Sequence, residues 1–158
     1  MSDTPELVKV DSVTLAVTEA FTKQSEIGAR IQGLFDSIYA WLPESGIEQA
    51  GHNSALYDQF SADGMRMRVG FPISKRFVDN REVRCIELSE GRAAHLTHRG
   101  AYSGLPAAHN RLLEWCRQHS FQLAGGSWEV YGDWSQDESG LVTEVYIRLA
   151  GDGGLLAL

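Results

Sequence analysis

The sequence lacks several features that mark common functional classes. Its two cysteines, Cys85 and Cys116, are too few for a disulfide framework and form no zinc-type spacing with histidine, so we expect free thiols in a reducing cytoplasm. No window approaches the roughly 18 consecutive apolar residues of a membrane helix, and the first residues lack the basic and apolar segments of a signal peptide. These absences predict a cytoplasmic protein with no membrane segment, no metal site and no cofactor.

Basic residues are also scarce. The 158 residues include 14 lysines and arginines against 21 aspartates and glutamates, which gives a formal net charge of −7. This charge repels phosphate backbones and lipid head groups and attracts cations. The basic residues between positions 66 and 84 are spread over two predicted strands and a linker, so we expect no direct contact with nucleic acid.

The middle of the chain contains an internal repeat. Residues of the same type recur at an offset of 74 positions: Trp41 and Trp115, Ala50 and Ala124, Tyr57 and Tyr131. The last strands match at an offset of 76, which a two-residue insertion in the second hairpin loop explains. Such a repeat predicts two copies of one supersecondary unit. We place them at about 8–76 and 83–150, joined by a linker at 77–82, in a single domain spanning 1–158.

Local patterns predict the order βαββ in each copy. In the first copy, alternation predicts a strand at 13–17, a stripe of apolar residues predicts a helix at 25–42, and Pro43 and Gly46 close that helix. Two further strands flank the turn at 61–64. The second copy repeats this order, with Pro106 in the first turn of its helix. Its predicted strands are 84–88 and 92–97, interrupted at 89–91, then 128–134 and 141–149.

Alternation with period two also predicts which residues face away from the helices. In the last strand, Val145, Ile147 and Leu149 are predicted to pack under the helix. The opposite, mixed face is predicted to carry aromatic and charged residues: Tyr57, Arg68, Glu129, Tyr131, Glu144 and Tyr146. Aromatic walls beside a carboxylate suit a flat or cationic ligand, which predicts a binding groove between the copies. The alternative is that these side chains are solvated residues on an outer sheet face.

Three segments of the second copy carry a family resemblance. Residues 98–102 are His-Arg-Gly-Ala-Tyr, residues 128–133 are Trp-Glu-Val-Tyr-Gly-Asp, and residues 143–149 are Thr-Glu-Val-Tyr-Ile-Arg-Leu. In this order they resemble the GyrI-like family, the bacterial effector-binding domain of multidrug regulators and gyrase inhibitors. That family shows a His-x-Gly-x-Tyr turn, a Glu-x-Tyr strand and a closing strand with an acidic residue. The resemblance covers most of 83–149, and the first copy matches mainly by architecture.

The resemblance implies an α+β fold in which two βαββ units are related by a pseudo-twofold axis, with an antiparallel sheet, helices on one face and a central ligand cleft. It also implies that Glu144 meets cationic ligands, with Tyr131 and Tyr146 around it. The full set of expected ligand-binding residues is Tyr57, Arg68, Tyr102, Glu129, Tyr131, Trp134, Glu144 and Tyr146. The first hypothesis is a stand-alone protein that binds hydrophobic or cationic aromatic compounds for sensing or sequestration.

Two alternatives follow from the same resemblance, because some family members are hydrolases and others inhibit DNA gyrase. In a hydrolase that opens strained rings, Glu144 is the candidate catalytic residue. Glu144 or Glu129 would position water or a proton, while Tyr131 and Trp134 hold an aromatic substrate. In a gyrase inhibitor, the partner would be a protein.

Two further expectations concern pairs of residues. Arg68 and Glu144 occupy equivalent places in the repeat, so an ion pair between them is predicted to lower the pKa of the carboxyl group. His95 and His98 are three positions apart on a strand and point to opposite faces, so they are not expected to bind one metal ion together. His98 is expected to make a local hydrogen bond at the turn.

Overall fold

The computed structural model describes residues 3–151, which form strands and helices of an α+β fold with antiparallel strand pairing. The strands are β1 Glu6–Val10, β2 Val13–Thr22, β3 Ser54–Ser61, β4 Gly64–Pro72, β5 Arg84–Leu88, β6 Gly91–Arg99, β7 Leu123–Tyr131 and β8 Val142–Leu149. The α-helices are α1 Ile27–Ser45 and α2 Leu105–Gln118. This confirms the predicted fold class and two βαββ units, while the pseudo-twofold axis, the central cleft and the single domain stay predictions.

The first unit comprises residues Ser12–Ser89. Its strands pair in the order β3-β4-β2-β5. Helix α1 places Ile38 in a core with Ala16 of β2 and Phe71 of β4, and all three are fully buried. Because burial of a large apolar side chain stabilises a fold by about 1.5–3 kcal/mol, this contact fixes the helix on one face of the four strands.

The second unit comprises the described residues up to Asp11 and those from Glu90 onward. Its strands pair in the order β1-β6-β8-β7. Helix α2 buries Ala108, Leu112 and Cys116, whose spacing of four residues places them on one side of the helix. They pack against apolar residues of β6 and β8, so this unit also has its helix on one face of its strands.

The helix ends follow local chemistry. Gly46, with a φ of 75°, adopts the left-handed conformation that ends α1. Pro43 was predicted to close α1 but lies within its last turn. The helix therefore extends to Ser45, three residues beyond the predicted end. Pro106 lies in the first turn of α2, as predicted. Between residues 3 and 151, the structure contains no helix that is both long and apolar enough to cross a membrane.

The edge strands pair in a way that the repeat does not predict. The segment predicted as interrupted strand material of the second copy forms two strands that separate at Ser89 and Glu90. Strand β5 pairs with β2 of the first unit, whereas β6 stays in the second unit and pairs with β1. Strand β1 was not predicted, because most of its residues are exposed and it therefore lacks a marked apolar alternation.

Candidate functional site

Strand β8 separates two kinds of surface in the second unit. Val145, Ile147 and Leu149 are at most 4% exposed and belong to the core under α2. Glu144 and Tyr146 alternate with them and therefore point to the opposite face. The structure thus agrees with the face assignment predicted for this strand.

Strand β7 differs from its prediction. In the observed register Glu129 lies directly opposite Val145, and Trp128 lies opposite Tyr146. Directly paired residues share a face, so Glu129 lies on the α2 side, and Tyr131 also packs against that core. The predicted placement of Glu129 and Tyr131 beside Glu144 is therefore wrong, because register decides the shared face and polarity alone does not.

The same correction applies to Tyr57 in the first unit. Tyr57 pairs with Met67, on the face that carries the buried core residues of β4, whereas Arg68 pairs with Leu56 on the other face. Tyr57 is only 7% exposed. The prediction that Tyr57 and Arg68 share a face is therefore wrong.

Glu144 lies in a compact polar group on the face away from α2. Its Oε1 atom lies 2.6 Å from Nε2 of His95 and accepts a 2.6 Å hydrogen bond from the hydroxyl group of Thr97. On the other side of the imidazole, Nδ1 of His95 lies 2.8 Å from Oε2 of Glu6. The side chain of His95 is 10% exposed, whereas those of Glu144 and Glu6 are 34% and 51% exposed, so both carboxylates are more accessible than the imidazole between them.

Aromatic rings line the same face. The rings of Trp128 and Tyr146 stack with centroids 4.9 Å apart and an interplanar angle of 7°, and His95 lies 4.9 Å from Tyr146 on a tilt. The guanidinium of Arg148 lies over Trp128, 4.9 Å from the ring centroid. Burial raises the pKa of Tyr146, and the charges of Glu144 and Glu6 raise it further. We call Glu6, His95, Thr97, Trp128, Glu144 and Tyr146 the Glu144 cluster.

A second polar group lies on the α2 side of the same strands. The buried carboxylate of Glu129 accepts a 2.6 Å hydrogen bond from the Tyr131 hydroxyl at Oε1, and its Oε2 lies 2.7 Å from Nε2 of His109 on α2. Tyr102 meets the Tyr131 ring edge to face at 5.7 Å. Burial raises the pKa of Tyr102. We call Tyr102, His109, Glu129 and Tyr131 the Glu129 cluster.

Arg68 forms an ion pair with an acidic residue of the first unit. Its Nη2 atom donates to Asp58 at 3.2 Å, and Asp58 also accepts two hydrogen bonds from Arg66 at 2.8 and 2.6 Å. Burial, then the charge of Arg66, lowers the pKa of Arg68. Within their own units, Arg68 contacts Asp58 and Glu144 contacts His95. The ion pair between Arg68 and Glu144 stays a prediction.

Trp134 lies beyond the end of β7 with 74% of its surface exposed. The eight predicted site residues are therefore distributed over several places. Glu144 and Tyr146 lie together, Tyr102, Glu129 and Tyr131 lie together on the opposite face, and Tyr57 and Arg68 lie in the first unit. Their roles as ligand-binding residues stay predictions.

Five members of the two clusters were not among the predicted site residues: Glu6, His95, Thr97, Trp128 and His109. His95 and Thr97 alternate along β6 with core residues such as Leu96, which is a signal for a shared face, but only the register shows that this face meets Glu144. His95 and His98 lie on opposite faces of β6, as predicted, because His95 pairs with Tyr146 and His98 pairs with Thr143. His98 contacts the carbonyl oxygen of Ala101 at 2.8 Å. Within residues 3–151 no group of three or more His, Cys, Asp or Glu side chains is arranged to hold a metal ion.

Chemically, the two clusters differ. The Glu144 cluster offers a held, partly accessible carboxylate beside aromatic rings, which suits electrostatic binding of a cation. The Glu129 cluster joins a carboxylate, a phenol and an imidazole by hydrogen bonds, which are the groups of general acid–base chemistry.

Several solved structures share this fold. The EcmrR C-terminal domain is 15% identical, with a TM-score of 0.78, and the match covers 94% of this chain and 98% of that one. SAV2435, solved bound to tetraphenylphosphonium, is 13% identical with a TM-score of 0.70, covering 94% of both chains. A hydrolase encoded by lin2189 from Listeria innocua is 10% identical with a TM-score of 0.61, covering 94% of this chain and 92% of that one.

Among curated proteins, none matches this chain significantly. The family comparison is decisive, because the model of the GyrI-like small molecule binding domain matches residues 3–150, nearly the whole chain. It also agrees with the resemblance carried by residues 98–102, 128–133 and 143–149. The chain therefore belongs to the GyrI-like family of small-molecule-binding domains.

Proposed function

We propose that this GyrI-like domain binds small hydrophobic cations at the Glu144 cluster, for sensing or sequestration. The observation that carries the proposal is the way Glu144 is held. Its Oε1 atom meets both His95 and Thr97, while Oε2 accepts no hydrogen bond from any residue between 3 and 151. With one-third of the side chain exposed, that oxygen is available to a ligand.

The surroundings of the carboxylate support a cationic ligand with an apolar body. Tyr146 and Trp128 are already stacked, and Arg148 lies against Trp128, so these side chains lose little freedom when a ligand arrives. A carboxylate next to buried rings is poorly compensated by water, which favours a positively charged partner. The formal net charge of −7 adds a general attraction for cations.

A related fold suggests the probe. SAV2435 was solved with tetraphenylphosphonium, a cation enclosed by four phenyl rings. We therefore choose tetraphenylphosphonium as the charged ligand and triphenylphosphine oxide as a neutral ligand of similar chemistry. Binding can be followed by isothermal titration calorimetry and by intrinsic tryptophan fluorescence.

The decisive variant is Glu144→Gln, which keeps the shape of the side chain and removes its charge. Loss of a charge-assisted contact costs about 1–3 kcal/mol, so we expect the Kd for tetraphenylphosphonium to rise roughly 5- to 150-fold. The neutral probe should be affected little. Glu138→Gln is the control, because Glu138 is an exposed acid in the loop before β8. Equal affinity in the parent and Glu144→Gln, or no saturable binding of either probe, would contradict the proposal.

The Glu129 cluster supports a second candidate, hydrolysis of strained-ring electrophiles. In this hypothesis Glu129 accepts a proton from the attacking water, with Tyr131 and His109 already hydrogen-bonded to it. Such general base help supplies roughly 10²–10⁴-fold in rate. Incubation with activated cyclopropanes, followed by mass spectrometry, tests for ring-opened, hydrated products. Product formation that survives Glu129→Gln, or that never exceeds the uncatalysed rate, would remove this candidate.

A further inference from the structure

Two acids flank His95, one on each neighbouring strand. Strand β6 runs between β1 and β8, and the register places Glu6 directly opposite His95 on one side and Tyr146 directly opposite it on the other. Directly paired residues share a face, so Glu6 lies on the same face of the strands as Tyr146 and Glu144. Nδ1 of His95 lies 2.8 Å from Oε2 of Glu6, and Nε2 lies 2.6 Å from Oε1 of Glu144. One imidazole ring therefore holds both side chains in place.

Each of the two carboxylates keeps one oxygen away from the imidazole. Oε1 of Glu6 and Oε2 of Glu144 accept no hydrogen bond from any residue between 3 and 151. The side chains of Glu6 and Glu144 are 51% and 34% exposed, whereas that of His95 is 10% exposed. A ligand on this face therefore meets two accessible carboxylates with a nearly buried ring between them.

The spacing of the two acids follows from the strand order. Strands β1 and β8 each lie one strand away from β6, so their backbones are about 10 Å apart. A single compact cation at Glu144 does not extend over that distance to Glu6. A molecule with two positive groups separated by an apolar linker does.

The basic side chains near this face are engaged with other residues. Arg99, further along β6, pairs with Asp3 at 3.1 Å. The guanidinium of Arg148, further along β8, lies 4.9 Å from the ring centroid of Trp128. Within residues 3–151, the ion pairs of Glu6 and Glu144 involve His95 alone. One imidazole carries at most one positive charge, so two carboxylates beside it leave a net negative charge for a ligand.

We propose that Glu6 is a second cation-binding residue and that this site prefers elongated dications. One flat cationic head lies at Glu144 beside Tyr146, the linker crosses His95, and the second head lies at Glu6. This inference rests on the proposed function, because it names the class of ligand for the same site. It makes Glu6 a specificity-determining residue, since only a ligand with two heads contacts it.

Two linked heads gain affinity only when the linker spans both acids. An exposed ion pair contributes at most about fivefold in affinity, and two equivalent heads add about twofold by statistics alone. A dication of matching length should therefore bind about tenfold more tightly than a single-headed ligand with the same alkyl chain. A dication that is too short to reach Glu6 should keep only the statistical factor of about two.

The test uses bis(pyridinium)alkanes whose heads are linked by two or by six methylene groups. N-ethylpyridinium and N-hexylpyridinium are the matched single-headed ligands, and affinity is measured by isothermal titration calorimetry at pH 7 and low salt, where screening is weak. We expect an advantage of about tenfold for the six-methylene dication and of no more than about twofold for the short one. An advantage of about twofold or less at both lengths overturns the inference, and this comparison needs no variant.

Glu6→Gln tests the residue assignment. The advantage of the six-methylene dication should fall to about twofold, while the Kd of N-hexylpyridinium stays level, because a single head engages Glu144. Asp11→Asn is the matched control: Asp11 is an exposed acid just beyond β1, and its substitution changes the net charge by the same amount. If Glu6→Gln weakens single-headed and two-headed ligands alike, Glu6 only positions His95 and the inference is wrong.

Tetraphenylphosphonium, measured with the same proteins, separates failure of this inference from failure of the proposed function. If it binds and depends on Glu144, but the six-methylene dication shows no advantage, the inference fails and the proposed function stands. If it does not bind, but the dication binds with dependence on both Glu6 and Glu144, the inference stands and tetraphenylphosphonium is the wrong class of cation. Absence of saturable binding for every cation overturns both.

Discussion

The two units share an order of elements but differ at the positions of the Glu144 cluster. Strand register relates these positions pairwise: His95 to Val17, Thr97 to Glu19, Trp128 to Ser54, Glu144 to Arg68 and Tyr146 to Gly70. On this face the second unit presents an acid, an imidazole and two aromatic rings. The first unit presents Val17, Ser54 and Gly70, the acid Glu19, and two arginines that share the single carboxylate of Asp58.

This difference shows that the chemistry belongs to side chains and the fold is only their support. Gly70 illustrates the point, because a Cβ atom there would lie well inside contact distance of the backbone of Ala16. The position that carries Tyr146 in the second unit therefore cannot carry any side chain in the first without moving β2. The first unit cannot be turned into a copy of the aromatic–acidic site by side-chain substitution alone.

Gly70→Ala is expected to have the largest effect. The new methyl group would collide with the Ala16 carbonyl group on the paired strand, so the strands must separate locally. We expect a loss of about 4 kcal/mol or more in the free energy of unfolding, measured by urea denaturation. Gly33→Ala is the matched control: it lies in α1 with no atom within 4 Å of the new Cβ, and should stabilise by up to about 1 kcal/mol. Similar stabilities for the two variants would refute the close approach.

His109→Ala is expected to have the next largest effect. The first unit has Ala55 where the second has Glu129, since these residues pair with Val69 and Val145 respectively. Removing His109 leaves the buried Glu129 carboxylate without one of its partners, which should cost about 2–3 kcal/mol. Adding Glu129→Ala should recover part of that loss, because it removes the unpaired acid. Additive losses in the double variant would show that the two side chains do not interact.

Asp58→Asn tests the carboxylate that pairs with both Arg66 and Arg68 in the first unit. The hydrogen bond from Arg66, reinforced by the charges of Arg68 and Arg66, holds the Asp58 pKa below its ordinary value of 3.8 against the opposing effect of burial. A carboxyl group whose pKa is lower in the folded than in the unfolded state stabilises the fold at pH values above its unfolded-state pKa. This stabilisation is lost as the pH falls through the folded-state pKa. Parent and variant should therefore differ by about 1 kcal/mol at pH 7, and the difference should begin to shrink as the pH falls below about 4. Asp63→Asn, in the exposed hairpin turn, is the control. A difference that stays constant down to pH 2 would contradict this assignment.

Trp134→Ala is expected to have the smallest effect. The side chain is 74% exposed beyond β7, so the free energy of unfolding should change by less than about 0.5 kcal/mol. The tetraphenylphosphonium affinity of the same variant tests whether the proposed binding surface extends beyond the end of β7. A melting temperature lowered by several degrees would show that Trp134 makes more stabilising contacts than its exposed fraction indicates.

Local patterns predicted both helices, most of the strands, and two members of the Glu144 cluster. The apolar stripe predicted α1 to within three residues at its C-terminus, and Pro106 marked the first turn of α2. Alternation along 143–149 placed Glu144 and Tyr146 on one face correctly. The Glu129 side was predicted wrongly, because polarity assigned Trp128 and Val130 to the core face, whereas the register pairs Trp128 with Tyr146 and Glu129 with the core residue Val145.

The sequence by itself determined the family, the α+β class, the repeat of two βαββ units and the acidic residue of the closing strand. The family and the acidic residue follow from motifs, the strands and helices from periodicities of 2 and 3.6 residues, and the repeat from matches at a nearly constant offset. Only the tertiary structure decided that β5 joins the first unit and β1 the second, and that His95 connects Glu6 to Glu144. Glu6 and His95 are 89 positions apart, and His95 and Glu144 are 49 apart. Pairing over such distances depends on which strands meet and in what register, and no local pattern contains that information.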